Sequence, residues 1–293
     1  MYNPWLSASQ ISMFLRCPRQ WAFRYIEGRR IPPSGAMKQS GVFHTVAEQN
    51  YTQKKTTGMD LPETDLTDIF GEVFEREWER EEVVLDPGQT KGGLKDQGVD
   101  IVKTYRAEVA PHVQPVAVEE KFDVQLGKED YGFRLTGRID VIDDAGLIRD
   151  NKAAGRAPNQ LDIDKDVQLS TYSLARRLQT QQEARVADPE AKGTVEPGLR
   201  LDVIVKAQRP KAVILKTERT REALALHLNR IGNIAKAIRA DAFPTNPNGW
   251  HCQPRFCGYW NLCMGRGIKT VDMGEHLQEQ LEQSIEQAEN RDA

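Results

Sequence analysis

Asp140, Asp150 and Lys152 lie in the stretch LTGRIDVIDDAGLIRDNKAAGR, residues 135–156, which reads as two short strands around a turn. Neutral or apolar residues would pack better at these positions. Strand side chains repeat every two residues, so Ile148, Asp150 and Lys152 share one face. Asp144, Ala145 and Gly146 fit a three-residue hairpin loop with glycine in the left-handed position. That loop pairs Asp143 with Leu147, and therefore Asp140 with Asp150, with Cβ atoms roughly 4.5–5.5 Å apart. Like charges directly opposite each other destabilise a sheet, so something positive belongs between them. Lys152 is one candidate. A divalent cation is a better one, because hard cations are held by carboxylate oxygens.

The second group that could do chemistry is the cysteines. Of the four, Cys252, Cys257 and Cys263 cluster in CQPRFCGYWNLC, and Cys17 lies far away in sequence. A cytoplasmic chain is the default expectation here, and there structural disulfides are not expected. A C-x4-C-x5-C cluster in a loop of Pro, Gly and aromatic residues points instead to thiolate ligation of zinc or an iron–sulfur cluster. A four-thiolate site needs one more ligand, and the chain has just one more cysteine. His251 is an alternative donor beside them, and Trp250, Tyr259 and Trp260 are expected to pack around the centre.

These residues need elements to position them. SASQISMFLRCPRQWAFRYIEG reads as two helical pieces joined at Cys17, with Ser9 as N-cap and Pro18 in the first turn of the second. A helix over SGVFHTVAEQNYTQKK puts His44 and Glu48 on one face. A helix over 66–84 carries the stripe Ile69, Phe70, Val73, Phe74 and Trp78, and another covers 97–109. Strands follow over 115–126, 131–143 and 146–154. Then come a helix over 164–180, which aligns Gln168, Tyr172 and Ala175, a loop at 189–198, strands over 199–207 and 211–217, and a long helix over 220–240. The tail has Leu277, Leu281 and Ile285 at helical spacing. This order predicts an α/β domain with a mixed sheet flanked by helices, its N-terminal helices and C-terminal cysteine loop closing together on one side.

Composition sets limits. The 293 residues are 39% hydrophobic and 28% charged, with no apolar run long enough to span a bilayer, so no membrane partner is expected. The net charge is −3, but six acids crowd the stretch after Gly274, and without it the rest carries +2. Five arginines against one glutamate in the first thirty residues permit a locally basic surface.

Taken in order, SASQISMFLRCP, GVFHTVAE, GRID, DNK, QLSTY and the terminal cysteines resemble the PD-(D/E)XK nuclease superfamily, specifically its RecB-like branch with a four-cysteine iron–sulfur cluster, which includes CRISPR-adaptation and phage-encoded exonucleases. The resemblance implies a restriction-endonuclease-like core over 31–245, with a helical insertion at about 60–110. It further implies an N-terminal element at 1–30 that lends one cluster cysteine, a cysteine region at 246–268 and an acidic tail at 269–293. It implies that Asp140, Asp150 and His44 bind Mg2+ or Mn2+, that Lys152 orients or activates the attacking water, and that Gln168 and Tyr172 position the nucleic-acid strand. One of Glu119 or Glu120 completes the acidic site. Alternation does not choose between them, and spacing to Phe122 favours Glu119. Cys17, Cys252, Cys257 and Cys263 would hold a [4Fe–4S] cluster, with zinc the lesser alternative, although relatives often space two of these ligands as C-x2-C. The implied activity is metal-dependent hydrolysis of DNA at ends or in single strands, with a helicase, annealing protein or integrase as a possible partner. A non-catalytic DNA-binding adaptor is the competing function.

Overall fold

The computed structural model describes residues 5–127, 132–187 and 198–263, with 183–187 described in backbone only. The expected tail helix and, apart from Gly198, the loop at 189–198 lie outside these residues.

Helices α1 (Ala8–Arg16) and α2 (Pro18–Tyr25) meet at Cys17, whose extended backbone ends one helix and starts the next. Pro18 occupies the first turn of α2, where its missing N–H leaves no bond unmade. The N-cap of α1 is Ser7 and not Ser9: the Ser7 hydroxyl accepts from the Gln10 amide, and Ser9 lies within the helix. A two-residue strand, β1 (Trp5–Leu6), precedes it.

Three long helices form one outer layer: α3 (Gly35–Thr57), α4 (Glu63–Glu79) and α5 (Lys91–Glu108). The last starts six residues earlier than its apolar pattern predicts, because Thr90 caps it by accepting from the Gly93 amide. Phe43, Phe70, Phe74, Ile101 and Tyr105 are fully buried between these helices and the sheet. Each such side chain contributes about 1.5–3 kcal/mol.

The sheet comprises β1, β2 (Pro115–Leu126), β3 (Phe133–Asp143), β4 (Ile148–Ala154), β5 (Leu199–Val205) and β6 (Lys211–Thr217). Its order is β1-β3-β4-β5-β6, with β2 also paired to β3. It is mixed, as expected: β1–β3 and β4–β5 run parallel and the other pairs antiparallel. Period-two alternation sends Val203 to one face and Ile204 to the other. The second outer layer is α1 and α2 with α7 (Val167–Ala187) and α8 (Arg221–Arg239), packed through Trp21, Leu169, Leu174, Leu224 and Ile231. The helix expected over 164–180 is α7, starting three residues later, and a further short helix precedes it. A short α6 (Gln160–Asp164) carries a capping box on Asn159, and α7 begins after Asp166, which accepts from the Leu169 amide.

The hairpin follows the expected register. Asp143 N–H donates to Leu147 O at 3.0 Å, Ile142 pairs with Ile148 and Val141 with Arg149. Gly146 sits at φ +75, the left-handed conformation that this loop requires. The β3–β4 ladder then stops, one step before Asp140 would face Asp150. Further back along β3, β1 pairs with Arg134 and Leu135 while β2 keeps the opposite side. Among the described residues, no strand lies beside this edge of β3 between Leu135 and Val141. Here the Asn151 N–H turns to Asp140 Oδ2 at 3.4 Å.

Candidate active site

The gap beside β3 gathers side chains from four elements. Asp140 comes from β3, Asp150 and Lys152 from β4, His44 from α3, and Gln168 and Tyr172 from α7. His44 Nδ1 lies 3.4 Å from Asp140 Oδ2. Lys152 Nζ lies 3.3 Å from Asp150 Oδ2 and donates to Gln168 Oε1 at 3.0 Å. Gln168 Nε2 donates to Asp150 Oδ1 at 2.7 Å and to the Tyr172 hydroxyl at 2.8 Å. The Tyr172 ring meets Phe122 edge-on at 6.1 Å, which fixes it against β2.

Asp150 is 0% exposed, so it does not face open solvent as a surface hairpin would require. Its Oδ2 accepts no hydrogen bond. Burial first, and then the charge of Asp140, raises the Asp150 pKa to about 7, with Lys152 and His44 pulling the other way. Burial alone would lower the pKa of His44, but its contact with Asp140 and the charges of Asp140 and Asp150 outweigh this and raise it. Lys152 behaves alike: burial opposes its charge, and Asp150, Asp166 and Asp140 more than restore it. Burial and the two aspartates likewise keep Tyr172 protonated.

Glu119, on β2, stands opposite Asp140 on β3, between the pairs Val118–Val141 and Glu120–Ile139. Burial, then Asp140 and Glu48, raise its pKa, and Arg138 at 3.6 Å opposes them. Its φ of +49 is unusual for a residue with a side chain and is strained within a strand. Glu48 thus meets Glu119 electrostatically, and His44, one turn earlier on α3, pairs with Asp140.

Sequence reasoning missed three residues behind the hairpin. Arg149 Nε donates to Asp143 Oδ2 at 2.8 Å, and its Nη1 donates to Asp202 Oδ2 at 3.0 Å. Asp143 also accepts from the Ala145 and Leu147 amides. All three are at most 3% exposed. The available signal was a strand of buried type, LRLDVIV, carrying Asp202, and an arginine between Ile148 and Asp150.

Cys17, Cys252, Cys257 and Cys263 line one small cavity together with Gln20 and His251. Gln20 Nε2 donates to Cys257 Sγ at 2.9 Å. Burial and the neighbouring cysteines raise the pKa of Cys252 and Cys263. Two further contacts tie the chain's beginning to this region: Phe23 stacks on Tyr259 at 5.3 Å, and the Tyr259 hydroxyl donates to Arg29 O at 2.8 Å. Tyr259 is buried and Trp260 partly so, whereas Trp250 is 72% exposed. Among the described residues, no three His, Cys, Asp or Glu side chains stand ready as a closed metal-ligand set.

The family model of the PD-(D/E)XK nuclease superfamily matches residues 5–264. The chain belongs to this superfamily. Its members hydrolyse phosphodiester bonds of DNA with divalent metals such as Mg2+ or Mn2+. No curated protein matches the chain. Among solved structures it is similar in fold to a "Putative exonuclease" from Eubacterium rectale, at 11% identity, with 88% of each chain covered and a TM-score of 0.51. It also aligns with the crystal structure of SSO0001 over 90% of this chain and 87% of that one, at 11% identity and a TM-score of 0.36. Asp140 and Asp150 supply hard oxygen donors, which suit a divalent cation. Their present partners, His44, Lys152 and Gln168, screen charges that a cation would screen directly. Among the described residues no helix is long and apolar enough to cross a membrane.

Proposed function

We propose that the protein is a metal-dependent DNA exonuclease that acts on ends or single strands, in recombination, repair or phage DNA processing. One observation carries the reading: Asp150 is wholly buried beside a second carboxylate, and among the described residues its Oδ2 has no hydrogen bond beyond the 3.3 Å ion pair with the Lys152 ammonium. A carboxylate is not left in that position for stability, since burial and repulsion both act against it.

Asp140, Asp150 and, through its imidazole, His44 would hold the cation, with Glu119 completing the acidic side. Bound there, Mg2+ or Mn2+ polarises a phosphoryl oxygen and lowers the pKa of a water. Lys152 Nζ keeps its proton and places positive charge where the phosphoryl oxygens gain negative charge. Gln168 holds both Asp150 and Lys152 in place, and Tyr172 holds Gln168. Cys17, Cys252, Cys257 and Cys263 would bind a [4Fe–4S] cluster that braces α1 and α2 against the C-terminal loop. Zinc is the second candidate for that set, and four thiols lining one cavity suit either by their chemistry.

The test uses end-labelled single- and double-stranded DNA, linear and circular, with Mg2+ or Mn2+. Loss of linear DNA with circles left intact supports the reading. Cutting of circles would make the enzyme an endonuclease, and no cutting of any substrate with either metal would overturn catalysis.

A further inference from the structure

His251 shares the cavity of the four thiols and carries a nitrogen with nothing to bond. Its ring is 6% exposed, and Nε2 is buried without a hydrogen-bond partner. The ring also lies beside the backbone of Arg16, and with Nε2 unpartnered among the described residues, Nδ1 is the nitrogen left to face it. A proton on Nδ1 leaves the Nε2 lone pair free. A buried acceptor left without a partner is unfavourable. Proteins prepare an imidazole for a metal in this way, with one nitrogen donating to a carbonyl and the other unbonded.

The placement is built into the loop. At Gly249 an added Cβ would lie 2.3 Å from the His251 Cε1 and 2.9 Å from each ring nitrogen. Only glycine lets the ring lie against the chain two residues earlier. Arg16, which lies beside the ring, immediately precedes Cys17, and His251 immediately precedes Cys252.

We propose that His251 is a fifth donor to the cysteine centre and replaces Cys252 as a ligand through Nε2. The inference rests on the reading of the four thiols as a metal site. Cys252 is the partner for exchange because it is adjacent and, like Cys263, partly exposed, while Cys17 and Cys257 are buried and Cys257 is also held by Gln20. The ligand is a thiophilic first-row metal, either iron in a cluster or zinc in a Cys3His set. In the exchange the Cys252 thiolate leaves and takes a proton from solvent, and the Nε2 lone pair fills the position. No electron moves. The centre becomes one unit less negative, which in an iron–sulfur centre raises the reduction potential.

The experiment compares wild type, Cys252→Ala, His251→Ala, the double variant and Cys257→Ala, purified anaerobically and analysed for iron, sulfide and zinc. Cys252→Ala is expected to keep its metal with an altered absorption spectrum, and the double variant to lose about tenfold or more in metal affinity. Equal metal content in Cys252→Ala and the double variant overturns the inference, as does a Cys252→Ala protein as empty as Cys257→Ala. A wild type without bound metal overturns the cluster reading and this inference with it. Should the double variant fail to fold, pulsed EPR of reduced or Co2+-loaded Cys252→Ala decides. Imidazole nitrogen coupling supports His251 ligation, and its absence overturns it.

Discussion

Gln168 Nε2 donates to Asp150 Oδ1 at 2.7 Å, while Oε1 of the same amide accepts from Lys152 at 3.0 Å. Only one orientation of the amide satisfies both, because a carboxylate accepts and an ammonium donates. Gln168 therefore locks two charged groups of β4 to α7. Gln168→Ala should lower kcat about 10–100-fold, as supporting contacts around metal sites do when removed. Gln168→Glu should be worse still, since it sets a third carboxylate against Asp150. Steady-state rates against metal concentration measure both effects, and a Gln168→Ala enzyme as fast as wild type removes the positioning role.

Stability of the metal-free protein should depend on pH through Asp150. Its folded pKa is raised to about 7, against about 3.9 in an unfolded chain. Between these values the folded state binds more protons than the unfolded state, so stability falls as pH rises through this window. His44, whose folded pKa is also raised, adds a fall of the same sign. Asp150→Asn abolishes the aspartate contribution. By pH 8 it should exceed wild type by on the order of 2–4 kcal/mol, with a smaller gain at pH 5. Thermal melts in EDTA at the two pH values test this. An equal gain at both would mean that Asp150 titrates normally.

Glu119 holds a left-handed backbone at φ +49 within a strand, facing Asp140. Strain of this kind costs on the order of 1–3 kcal/mol and persists where surroundings impose it. Glu119→Gly should be at least as stable as wild type and lose cleavage. Glu119→Gln should keep the strain and lose only the charge. If both variants cut DNA normally, the carboxylate lies outside the chemistry.

Much of this arrangement was legible before the structure. The turn glycine fixed the hairpin register, because Gly146 alone could take the left-handed position of that loop. Alternation set Asp150 and Lys152 on one face, and helical spacing aligned Gln168 with Tyr172. The spacing of His44 and Glu48 was equally visible, but only the resemblance set His44 beside Asp140, since nothing local reveals that β3 passes beside that helix. Burial of Asp150 was unreadable for a related reason. The hairpin pattern alone suits a solvated edge, and only the parallel pairing of β4 with β5 makes β4 an interior strand. Arg149 and Asp202 meet across that pairing, a contact between residues 53 positions apart.

That buried trio makes its own prediction. Arg149→Met leaves Asp143 and Asp202 unpaired in the interior, and removing one partner of a buried ion pair typically costs about 3–5 kcal/mol. Chemical denaturation should show such a loss, with activity falling because the hairpin turn that Asp143 ties is loosened. A variant of unchanged stability would mean that both aspartates find other partners.

Lys152 separates chemistry from binding. Its side chain is 33% exposed, and both of its contacts, with Asp150 and Gln168, lie within the site. Lys152→Ala and Asp150→Ala should each abolish cleavage, and neither should unfold the protein. Their effects on DNA affinity should differ. Binding strength comes mainly from basic contacts to phosphates, so Asp150→Ala, measured without metal, should bind DNA at least as tightly as wild type. Lys152→Ala loses one positive charge near the strand and should bind somewhat more weakly, with a slightly shallower dependence on salt. Calorimetric titration of Mg2+ then distinguishes their roles: Asp150→Ala should lose cation affinity, whereas Lys152→Ala should retain it or gain, because a like charge has left. If Asp150→Ala still degrades DNA at the wild-type rate in Mg2+, Asp150 has no part in the reaction and the catalytic centre lies elsewhere on the chain.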